Sequence, residues 1–381
     1  MKIKSAILFF ALLLFVHLLN AQERIKTESL FPGINYQHIQ NDSIPLSIHI
    51  LEIDLTKENI GVEVGIANDI IGTGGETVSS FVNRNQSDSI IIVGAVNGDF
   101  FGGVPHTAQN CMVVDGEFAK GVVLDRTLFG ITNNKKPIAE NIVFNGMAVF
   151  ENDTINIDAL NDKPDDFSTA LLNKFYGNKS AIGDSCLAIL IDHSSLQKPN
   201  EWHTGKIKNI YQGVDTVYYK PNESVLIINE KTISELTNID ERDSIKYFLG
   251  THPRIANIQS LIGGLPRLIS NGKIPETYLG KESLASERFL LRHPRTAVGF
   301  TQDSTKLILV LADGRQENLS IGIELKKLAE LMLELGCYNA VNLDGGGSSA
   351  MVVKNRLVNS PSDKTGERKV HNFLYVTYKL N

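Results

Sequence analysis

The chain has 381 residues, of which 42% are hydrophobic and 21% charged, and its formal net charge is −6. This composition is that of a globular protein, which excludes wholesale disorder and collagen-like repeats, and the length is enough for one large domain or two average ones. The mild acidity argues against a nucleic-acid-binding protein, whose interface is usually basic.

The N-terminus has the three-part layout of a secretory signal peptide. Lys2 and Lys4 supply positive charge, residues 6–19 are predominantly apolar, and Ala21 offers a small residue for cleavage. The apolar run of about 14 residues is shorter than the roughly 20 that a transmembrane helix needs. We therefore expect residues 1–21 to be a signal peptide and the mature protein to be exported, periplasmic or extracellular, with no transmembrane segment.

Strand patterns dominate the rest of the chain. Residues 22–45 are interpreted as a lead-in; Ser47–Leu55 and Gly61–Gly65 then alternate apolar and polar residues. The continuous β-branched run Ile90–Val96 is typical of a strand buried on both faces. Residues 155–220 are polar and irregular overall, and predict an insertion on the same domain. Further strands are predicted at Met112–Val114, Leu187–Ile191, Ser224–Ile228 and Leu307–Leu311.

One clear helix is predicted in the C-terminal part of the chain. Apolar residues recur at helical spacing over residues 325–335. Ser320 or Gly322 is expected to open this helix and Gly336 to close it, and residues 339–343 follow as a strand. Because this strand–helix–strand order occurs once only, we expect a mixed α+β fold, with a mostly antiparallel β-sheet core and a few packed helices.

The cysteines and histidines are weak indicators of function. Cys111, Cys186 and Cys337 are too few and unevenly paired for a disulfide framework, and we favour three buried apolar thiols. Their spacing fits no zinc site, although loop carboxylates holding Ca²⁺ or Mg²⁺ remain an alternative. His106 and His371 are interpreted as packed or surface residues, with catalysis as the alternative. His49, which alternates with the apolar residues of its strand, is expected to face solvent.

The densest group of candidate functional residues is a glycine loop at residues 342–349. Asp344 ends a predicted buried strand, and three glycines and two hydroxyls follow it. Glycines let the backbone approach a ligand closely, and their N–H groups can bind an anion. No Lys follows the glycines, so this is not a P-loop, and we favour a ligand-binding loop over a tight turn. The candidate binding residues here are Asn342, Gly345, Gly346, Gly347, Ser348 and Ser349.

Two further stretches offer polar and charged side chains. A predicted buried strand delivers Asn97 and Asp99 to a glycine-containing turn, for which an ordinary Asx turn is the alternative. Arg295, which precedes Thr296, and Arg315 can each bind an anion bidentately, unless they pair with surface acids.

These stretches belong to a series of seven short motifs, whose order resembles that of the phosphodiester glycosidase family. The motifs are Asn97-Gly98-Asp99-Phe100-Phe101, Gly263-Gly264-Leu265-Pro266, Asn271-Gly272, Arg295-Thr296-Ala297-Val298-Gly299, Asp313-Gly314-Arg315, Asn342-Leu343-Asp344-Gly345-Gly346-Gly347-Ser348-Ser349 and Pro361-Ser362-Asp363. The resemblance is strong over residues 295–381 and clear over 94–103 and 262–272. The family often has Gly where Asp99 stands.

The resemblance implies a hydrolase that cleaves the bond between a sugar's anomeric carbon and a phosphodiester, releasing a free sugar and a phosphomonoester. Residues 22–381 would form one catalytic domain, with its motif region at 94–381 and no required cofactor. Asp344 is implied as nucleophile or base, with Asp313 and Asp99 as further candidate carboxylates.

Phosphate binding is implied for a second set of groups, and a glycan or sugar phosphate is the expected partner. This set contains Asn97, Arg295, Thr296, Arg315 and the glycine-loop residues. The alternative is a non-catalytic cell-envelope protein that binds phosphate-bearing glycans on the same loops. Only the enzyme requires Asp344 and at least one of Asp99 and Asp313 to converge in one cleft with Arg295 or Arg315. Separately, a single catalytic unit requires the loops at 94–103 and 342–349 to lie within about 15 Å of each other.

Overall fold

The computed structural model describes residues 23–103, 106–151, 153–183, 185–234, 239–240, 243–275 and 291–380. Over this part of the chain, β-strands dominate and helices are few. The expected α+β class holds only in its coarse sense, because the fold is mostly antiparallel β-sheet. The expected signal peptide lies outside the described residues. None of the helices described is long and apolar enough to cross a membrane.

The elements are numbered in chain order. The strands are β1 Glu23–Phe31, β2 Ile34–Asn41, β3 Leu46–Asp54, β4 Ile60–Ile66, β5 Ile90–Asn97, β6 Phe101–Gly102, β7 Thr107–Ala108, β8 Met112–Val114, β9 Glu117–Lys120, β10 Arg126–Thr132, β11 Pro137–Val149, β12 Thr154–Ile157, β13 Ala159–Leu160, β14 Thr169–Leu172, β15 Lys179–Ala181, β16 Leu187–Asp192, β17 Glu201–Gln212, β18 Thr216–Tyr218, β19 Glu223–Ile228, β20 Ser244–His252, β21 Ile258–Gly263, β22 Arg267–Ile269, β23 Arg295–Phe300, β24 Lys306–Ala312, β25 Asn339–Asn342, β26 Met351–Val353, β27 Arg356–Leu357 and β28 Asn372–Lys379. The α-helices are α1 Val78–Asn85, α2 Glu230–Ile233 and α3 Leu325–Glu334, and 3₁₀ turns lie at Ala67–Asp69, Pro164–Asp166 and Gly346–Ser348.

A seven-stranded antiparallel sheet, in the order β1-β2-β3-β24-β23-β25-β22, carries the strong motif region. Helix α3 packs on one face of this sheet. Leu328 and Met332 of the helix are fully buried and belong to the same hydrophobic cluster as Ile308 and Val310 of β24. The helix begins at Leu325, later than expected, because Gly322 adopts φ +92° in close contact with the backbone of the preceding loop. Gly336 closes the helix at φ +89°, as predicted.

A five-stranded sheet packs against the other face of the first. Its order is β27-β26-β5-β28-β4, with the β-branched strand β5 near its centre. Val93 of β5 and Leu374 of β28 share one core cluster with Leu51 and Leu309 of the seven-stranded sheet. The two sheets therefore form a sandwich, and the ends of β5 and β25 meet at one edge of it.

The third large sheet has twelve strands and contains most of residues 155–220. Its path is β13-β14-β19-β16-β17-β20-β11-β10-β21-β8-β9, and β12 also pairs with β11. The expectation that these residues are irregular is wrong, because they form regular strands. Strand β17 shows why: it alternates between exposed polar and buried residues, so its composition is polar although its structure is regular.

Two smaller expectations also need correction. Residues 22–45 are not an unstructured lead-in: β1 and β2 form a hairpin whose outer strand lies at the sheet edge and is mostly exposed, which accounts for its weak apolar pattern. Cys111 and Cys337 are buried as expected, but Cys186 is only half-buried, and all three are free thiols.

Candidate functional site

The glycine loop after β25 and the Asp99 turn after β5 are in direct contact. The Asp344 N–H donates to the Gly98 carbonyl oxygen at 2.9 Å, and the Asn97 Nδ2 donates to the Asp344 carbonyl oxygen at 2.6 Å. The Asn97 Oδ1 accepts hydrogen bonds from the Thr296 hydroxyl at 2.8 Å and the Ala350 N–H at 3.2 Å. Asn97 and Thr296, predicted as binding residues, are thus buried and hold three motif loops together.

Asp344 is a partly buried carboxylate at the centre of this contact. Burial raises its pKa to about 6, and the nearby charge of Asp99 acts in the same direction. The Ser348 hydroxyl, the Gly345 N–H and the charge of Arg368 oppose this rise in pKa. The Gly345 N–H donates to Asp344 Oδ1 at 2.8 Å. Asp344 is therefore mostly ionised at pH 7, yet close to its protonation equilibrium.

Asp99 is more enclosed, with 2% of its surface exposed. Its Oδ2 accepts from the Asn110 N–H at 2.9 Å and its Oδ1 from the Asn110 Nδ2 at 2.7 Å. Burial raises the pKa of Asp99 to about 6, against the opposing effects of the Asn110 hydrogen bonds and the Arg126 charge. A Cβ on Gly263 would lie 2.5 Å from Asp99 Oδ1, so this motif glycine makes room for the carboxylate.

Asp313 lies in a separate buried network. Its Oδ1 accepts from the Asn359 Nδ2 at 3.1 Å and the Ser360 N–H at 2.9 Å. Its Oδ2 accepts from the Ser47 hydroxyl at 2.9 Å and lies 3.1 Å from His49 Nε2. With four polar neighbours around two oxygens, Asp313 is built to anchor the segment that begins at Asn359, and this favours a structural role.

His49 contradicts the expectation that it faces solvent, since it is 1% exposed. Its Nδ1 lies 2.7 Å from the Tyr36 hydroxyl, and its ring stacks on His38 with centroids 4.3 Å apart. The alternating pattern assumed one solvated face, but β3 lies between β2 and β24 and both of its faces are covered.

Two arginine guanidinium groups lie against the glycine loop. A Cβ on Gly346 would come 3.0 Å from an Arg315 Nη atom, and a Cβ on Gly347 would come 2.5 Å from an Arg368 Nη atom. Gly346 also adopts φ +63°, a conformation that favours glycine. These two glycines are therefore needed because cations pack against their backbone.

The backbone N–H groups of the loop are less available than expected. The Gly345 N–H donates to Asp344, and the Gly346 N–H donates to the Pro294 carbonyl oxygen at 2.9 Å. The Ser348 and Ser349 N–H groups donate to carbonyl oxygens within the loop at 3.2 and 3.3 Å. Fewer N–H groups are therefore free to bind an anion here than the three glycines suggested.

The three arginines around the loop differ in exposure. Arg295 is buried, with its Nη2 donating to the Leu291 carbonyl oxygen at 3.1 Å, and burial together with Arg315 lowers its pKa to about 10. Arg315 is exposed. The Arg368 Nε donates to Asp363 Oδ2 at 2.7 Å. Arg368 was missing from the predicted site, although its position just after the Pro361-Ser362-Asp363 motif was the available signal.

The remaining predicted residues are buried supports of the loop. The Asn342 Nδ2 donates to the Leu265 and Leu343 carbonyl oxygens at 2.6 and 2.8 Å. Asn342 Oδ1 and the Ser349 hydroxyl are buried without a hydrogen-bonding partner among the described residues. Buried polar atoms without a partner are uncommon in folded proteins, so these two atoms set the interior of this loop apart from an ordinary protein core.

An aromatic group flanks the Asp99 turn. The ring of His371 lies 4.7 Å from that of Phe101 and 6.3 Å from that of His106, measured between centroids. Burial and the charge of His106 lower the pKa of His371 to about 4, so its ring is neutral at pH 7. Over the described ranges, the structure contains no group of three or more His, Cys, Asp or Glu side chains that could hold a metal ion.

Comparison with known proteins places this site in a family context. Residues 201–377 match the family model described as phosphodiester glycosidase. The bovine (Bos taurus) N-acetylglucosamine-1-phosphodiester alpha-N-acetylglucosaminidase is 37% identical over 111 residues, which are 27% of this chain and 20% of that protein. The SPbeta prophage-derived uncharacterized protein YomE of Bacillus subtilis (strain 168) is 41% identical over 88 residues, 23% of this chain and 13% of that protein.

The chain thus spans only a fifth or less of the length of these relatives. A crystal structure of a hypothetical protein from Synechocystis shares the fold, with a TM-score of 0.75 at 16% identity, covering 93% of this chain and 64% of the other. Four of the seven motifs, those from Arg295 to Asp363, lie within the C-terminal half of the matched residues. Residues 201–377 of this chain therefore match the phosphodiester glycosidase family, which confirms the resemblance indicated by the order of the motifs.

Proposed function

We propose that this chain is an exported hydrolase that cleaves the glycosidic bond between a sugar's anomeric carbon and a phosphodiester, releasing free sugar and a phosphomonoester. The proposal is carried by the pairing of Asp344 with Asp99 beside a glycine loop on which Arg315 and Arg368 pack. The name of the bovine relative, which specifies a sugar-1-phosphodiester bond, agrees with this assignment.

Asp344 is the better candidate for direct contact with the sugar. It is partly exposed, whereas both oxygens of Asp99 are held by Asn110 inside the protein. Positive charge develops at the anomeric carbon in the transition state, and an ionised carboxylate stabilises it. With a pKa of about 6, Asp344 is mostly ionised at neutral pH and can act as nucleophile or base.

Asp99 is better suited to act through Asp344 than on the substrate. Burial is the main cause of the raised pKa of Asp344, and the charge of Asp99 adds to it. We infer that Asp99 helps to keep Asp344 close to its protonation equilibrium at neutral pH.

The phosphate would be held by the arginines that lie on the glycine loop. Arg315 is exposed there, and Arg368 is oriented by its hydrogen bond to Asp363. A phosphomonoester is a good leaving group, with a second pKa of about 6. Strong general-acid assistance is then less important than neutralising the charge that develops on the leaving oxygen, which guanidinium groups do.

Export rests on the N-terminal sequence, in which a basic start, a short apolar run and a small residue occur in order. Mass spectrometry of the protein from its native cells should show that the first ~21 residues are missing. An intact Met1 on the mature protein would contradict export by this route.

The reaction is tested by incubating the purified mature protein with a panel of sugar-1-phosphodiesters and quantifying both products. We expect free sugar and phosphomonoester in equal amounts, without release of inorganic phosphate. Tight binding of a phosphodiester with no product from any member of the panel would instead identify a glycan-binding protein. Release of a sugar-1-phosphate together with the free alcohol would mean that the phosphorus–oxygen bond on the other side of the phosphate is cut, and would contradict the proposal.

A further inference from the structure

A cavity of about 520 Å³ opens beside the turn that carries Asp99. This volume lies within the range of about 300–1,000 Å³ that is usual for small-molecule sites. Its walls come from the 71–73 loop, the ends of β7 and β9, the start of β10 and the 162–166 turn. Polar side chains in these walls include Gln109, Lys120, Arg126, Asp162 and Tyr176.

Two polar contacts order part of the cavity wall. The Lys120 side chain is 1% exposed, and its Nζ lies 2.8 Å from Asp162 Oδ2. Arg126 Nη1 donates to Gln109 Oε1 at 2.7 Å. These partners fix each other's orientation, so the cavity presents ordered donors and acceptors. The wall also contains Lys163 and Asp166, so its three cationic side chains are largely balanced by two acidic ones.

This lining has the character needed to bind a sugar ring. Hydroxyl groups both donate and accept hydrogen bonds, so they fit a wall that mixes ammonium, guanidinium, carboxylate and amide groups. Ile71 and Leu124 add apolar surface for the C–H faces of a ring, and Tyr176 adds an aromatic side chain with a polar tip. A strongly charged ligand group would have to compete with the internal ion pair.

The cavity lies on the Asp99 side of the candidate site. The Gln109 N–H donates to the Phe100 carbonyl oxygen at 2.9 Å, and the next residue, Asn110, holds Asp99. Arg126, in the cavity wall, opposes the rise in the pKa of Asp99, and Arg368 does the same for Asp344. The cavity wall therefore interacts with Asp99 through Arg126 and through the backbone next to Asn110.

We propose that this cavity is the subsite for an uncharged, hydroxyl-rich sugar residue of the substrate, while Arg315 and Arg368 take the phosphate. The proposal rests on the proposed function, because it assumes that the sugar and the phosphate belong to one substrate. Gln109 and Arg126 are then specificity-determining residues, and the cavity is where the identity of the sugar is read.

The test separates binding of the two halves of the substrate. Wild-type protein is titrated with free glucose, mannose, galactose and N-acetylglucosamine, and separately with inorganic phosphate, by saturation-transfer NMR. Thr73→Trp at the exposed rim obstructs the cavity, and Gln109→Ala removes a polar wall. Thr216→Trp, on an exposed position of β18 that does not line the cavity, is the matched control.

We expect at least one sugar to bind wild type and Thr216→Trp equally, and ~10-fold or more weaker to Thr73→Trp and Gln109→Ala. Phosphate affinity should change by less than about 2-fold in these cavity variants and fall ~10-fold in Arg368→Ala. Circular dichroism checks that each variant is folded.

The proposal is overturned if no sugar binds wild type, if folded Thr73→Trp binds sugar normally, or if the cavity variants lose phosphate binding instead of sugar binding. Sugar binding of the expected pattern without hydrolysis of any phosphodiester would support the subsite and refute the proposed reaction.

Discussion

Asp344 and Asp99 are held in different ways, although burial raises the pKa of each to about 6. The sequence predicts both carboxylates, because each follows a buried apolar strand and precedes glycine-containing backbone. It cannot predict which of them is presented to a ligand. That difference depends on Asn110 and Gly263, which reach Asp99 from other parts of the chain and show no pattern that connects them to it.

Asp99→Asn should shift the pH dependence of catalysis. Removing the negative charge of Asp99 removes one cause of the raised pKa of Asp344, so Asp344 should ionise at lower pH. The acidic limb of the kcat/KM profile should move down by roughly half to one pH unit. Asp303→Asn, which changes an exposed surface carboxylate, should leave the limb in place. An unmoved or upward-shifted limb in folded Asp99→Asn would contradict the coupling.

Asp344→Asn should stabilise the fold at neutral pH. The pKa of Asp344 rises from an ordinary 3.8 to about 6 on folding, so its ionised form is disfavoured in the native state. The associated stability is complete below about pH 4 and is lost as the pH rises through about 6. The substitution should therefore raise the free energy of unfolding by about 1–3 kcal/mol at pH 7 and have little effect near pH 4. Urea denaturation at both pH values measures this, and an equal gain at both would rule out the charge as its cause.

The glycine loop illustrates what can be predicted at the scale of an element. Three consecutive glycines indicate that another group packs closely against the backbone of the loop. The structure identifies these groups as Arg315 at Gly346, Arg368 at Gly347 and the Pro294 carbonyl oxygen at Gly345. The sequence suggested free N–H groups for a phosphate instead. That expectation failed for Gly345 and Gly346 because a linear pattern does not show which backbone groups are already bonded inside the protein.

Gly347→Ala should mainly change KM, whereas Gly345→Ala should mainly change stability. A Cβ on Gly347 meets the far end of the Arg368 side chain, which can move, so stability should change little while KM rises several-fold. A Cβ on Gly345 would lie 2.8 Å from the Pro294 carbonyl oxygen, which is backbone. This variant should lose about 1–3 kcal/mol of stability. Steady-state kinetics and urea denaturation of both variants provide the comparison, and a normal KM in Gly347→Ala would remove Arg368 from the phosphate site.

Regular elements were predicted where their apolar pattern is strong. Helix α3 ends at Gly336 as expected, and β8 has the predicted bounds. The strand at Leu187–Ile191 was also predicted, and it corresponds to β16. The hairpin β1–β2 and the long strand β17 were missed, because exposed faces and sheet edges give polar sequences even when the backbone is regular.

At the scale of the whole molecule, the fold joins motifs that are far apart in sequence. The Asp99 turn comes from the five-stranded sheet, whereas Arg295 and Asp344 come from the seven-stranded sheet, and Asn97 links them. The order of the motifs predicted that such loops would meet. The buried contacts of Asp313 with Ser47 and His49 were beyond prediction, because they depend on how β3 and β24 pair.

Asp313→Asn should behave as a structural variant. An amide would place a donor against the Asn359, Ser360, Ser47 or His49 groups that now surround the carboxylate. We expect a loss of about 1–3 kcal/mol in the free energy of unfolding. Thermal and urea denaturation measure this loss. Normal stability together with abolished turnover would instead identify Asp313 as a catalytic carboxylate.

The most direct test of the central claim is steady-state kinetics of Asp344→Asn on a sugar-1-phosphodiester that the wild type hydrolyses. The change preserves shape and removes the charge that an oxocarbenium-like transition state requires. We predict that kcat falls by ~10²-fold or more, while KM stays comparatively intact because the arginines still hold the phosphate. Circular dichroism confirms that the variant is folded. A folded Asp344→Asn protein with near-normal kcat would contradict the assignment and leave Asp99 and Asp313 as the carboxylates to test.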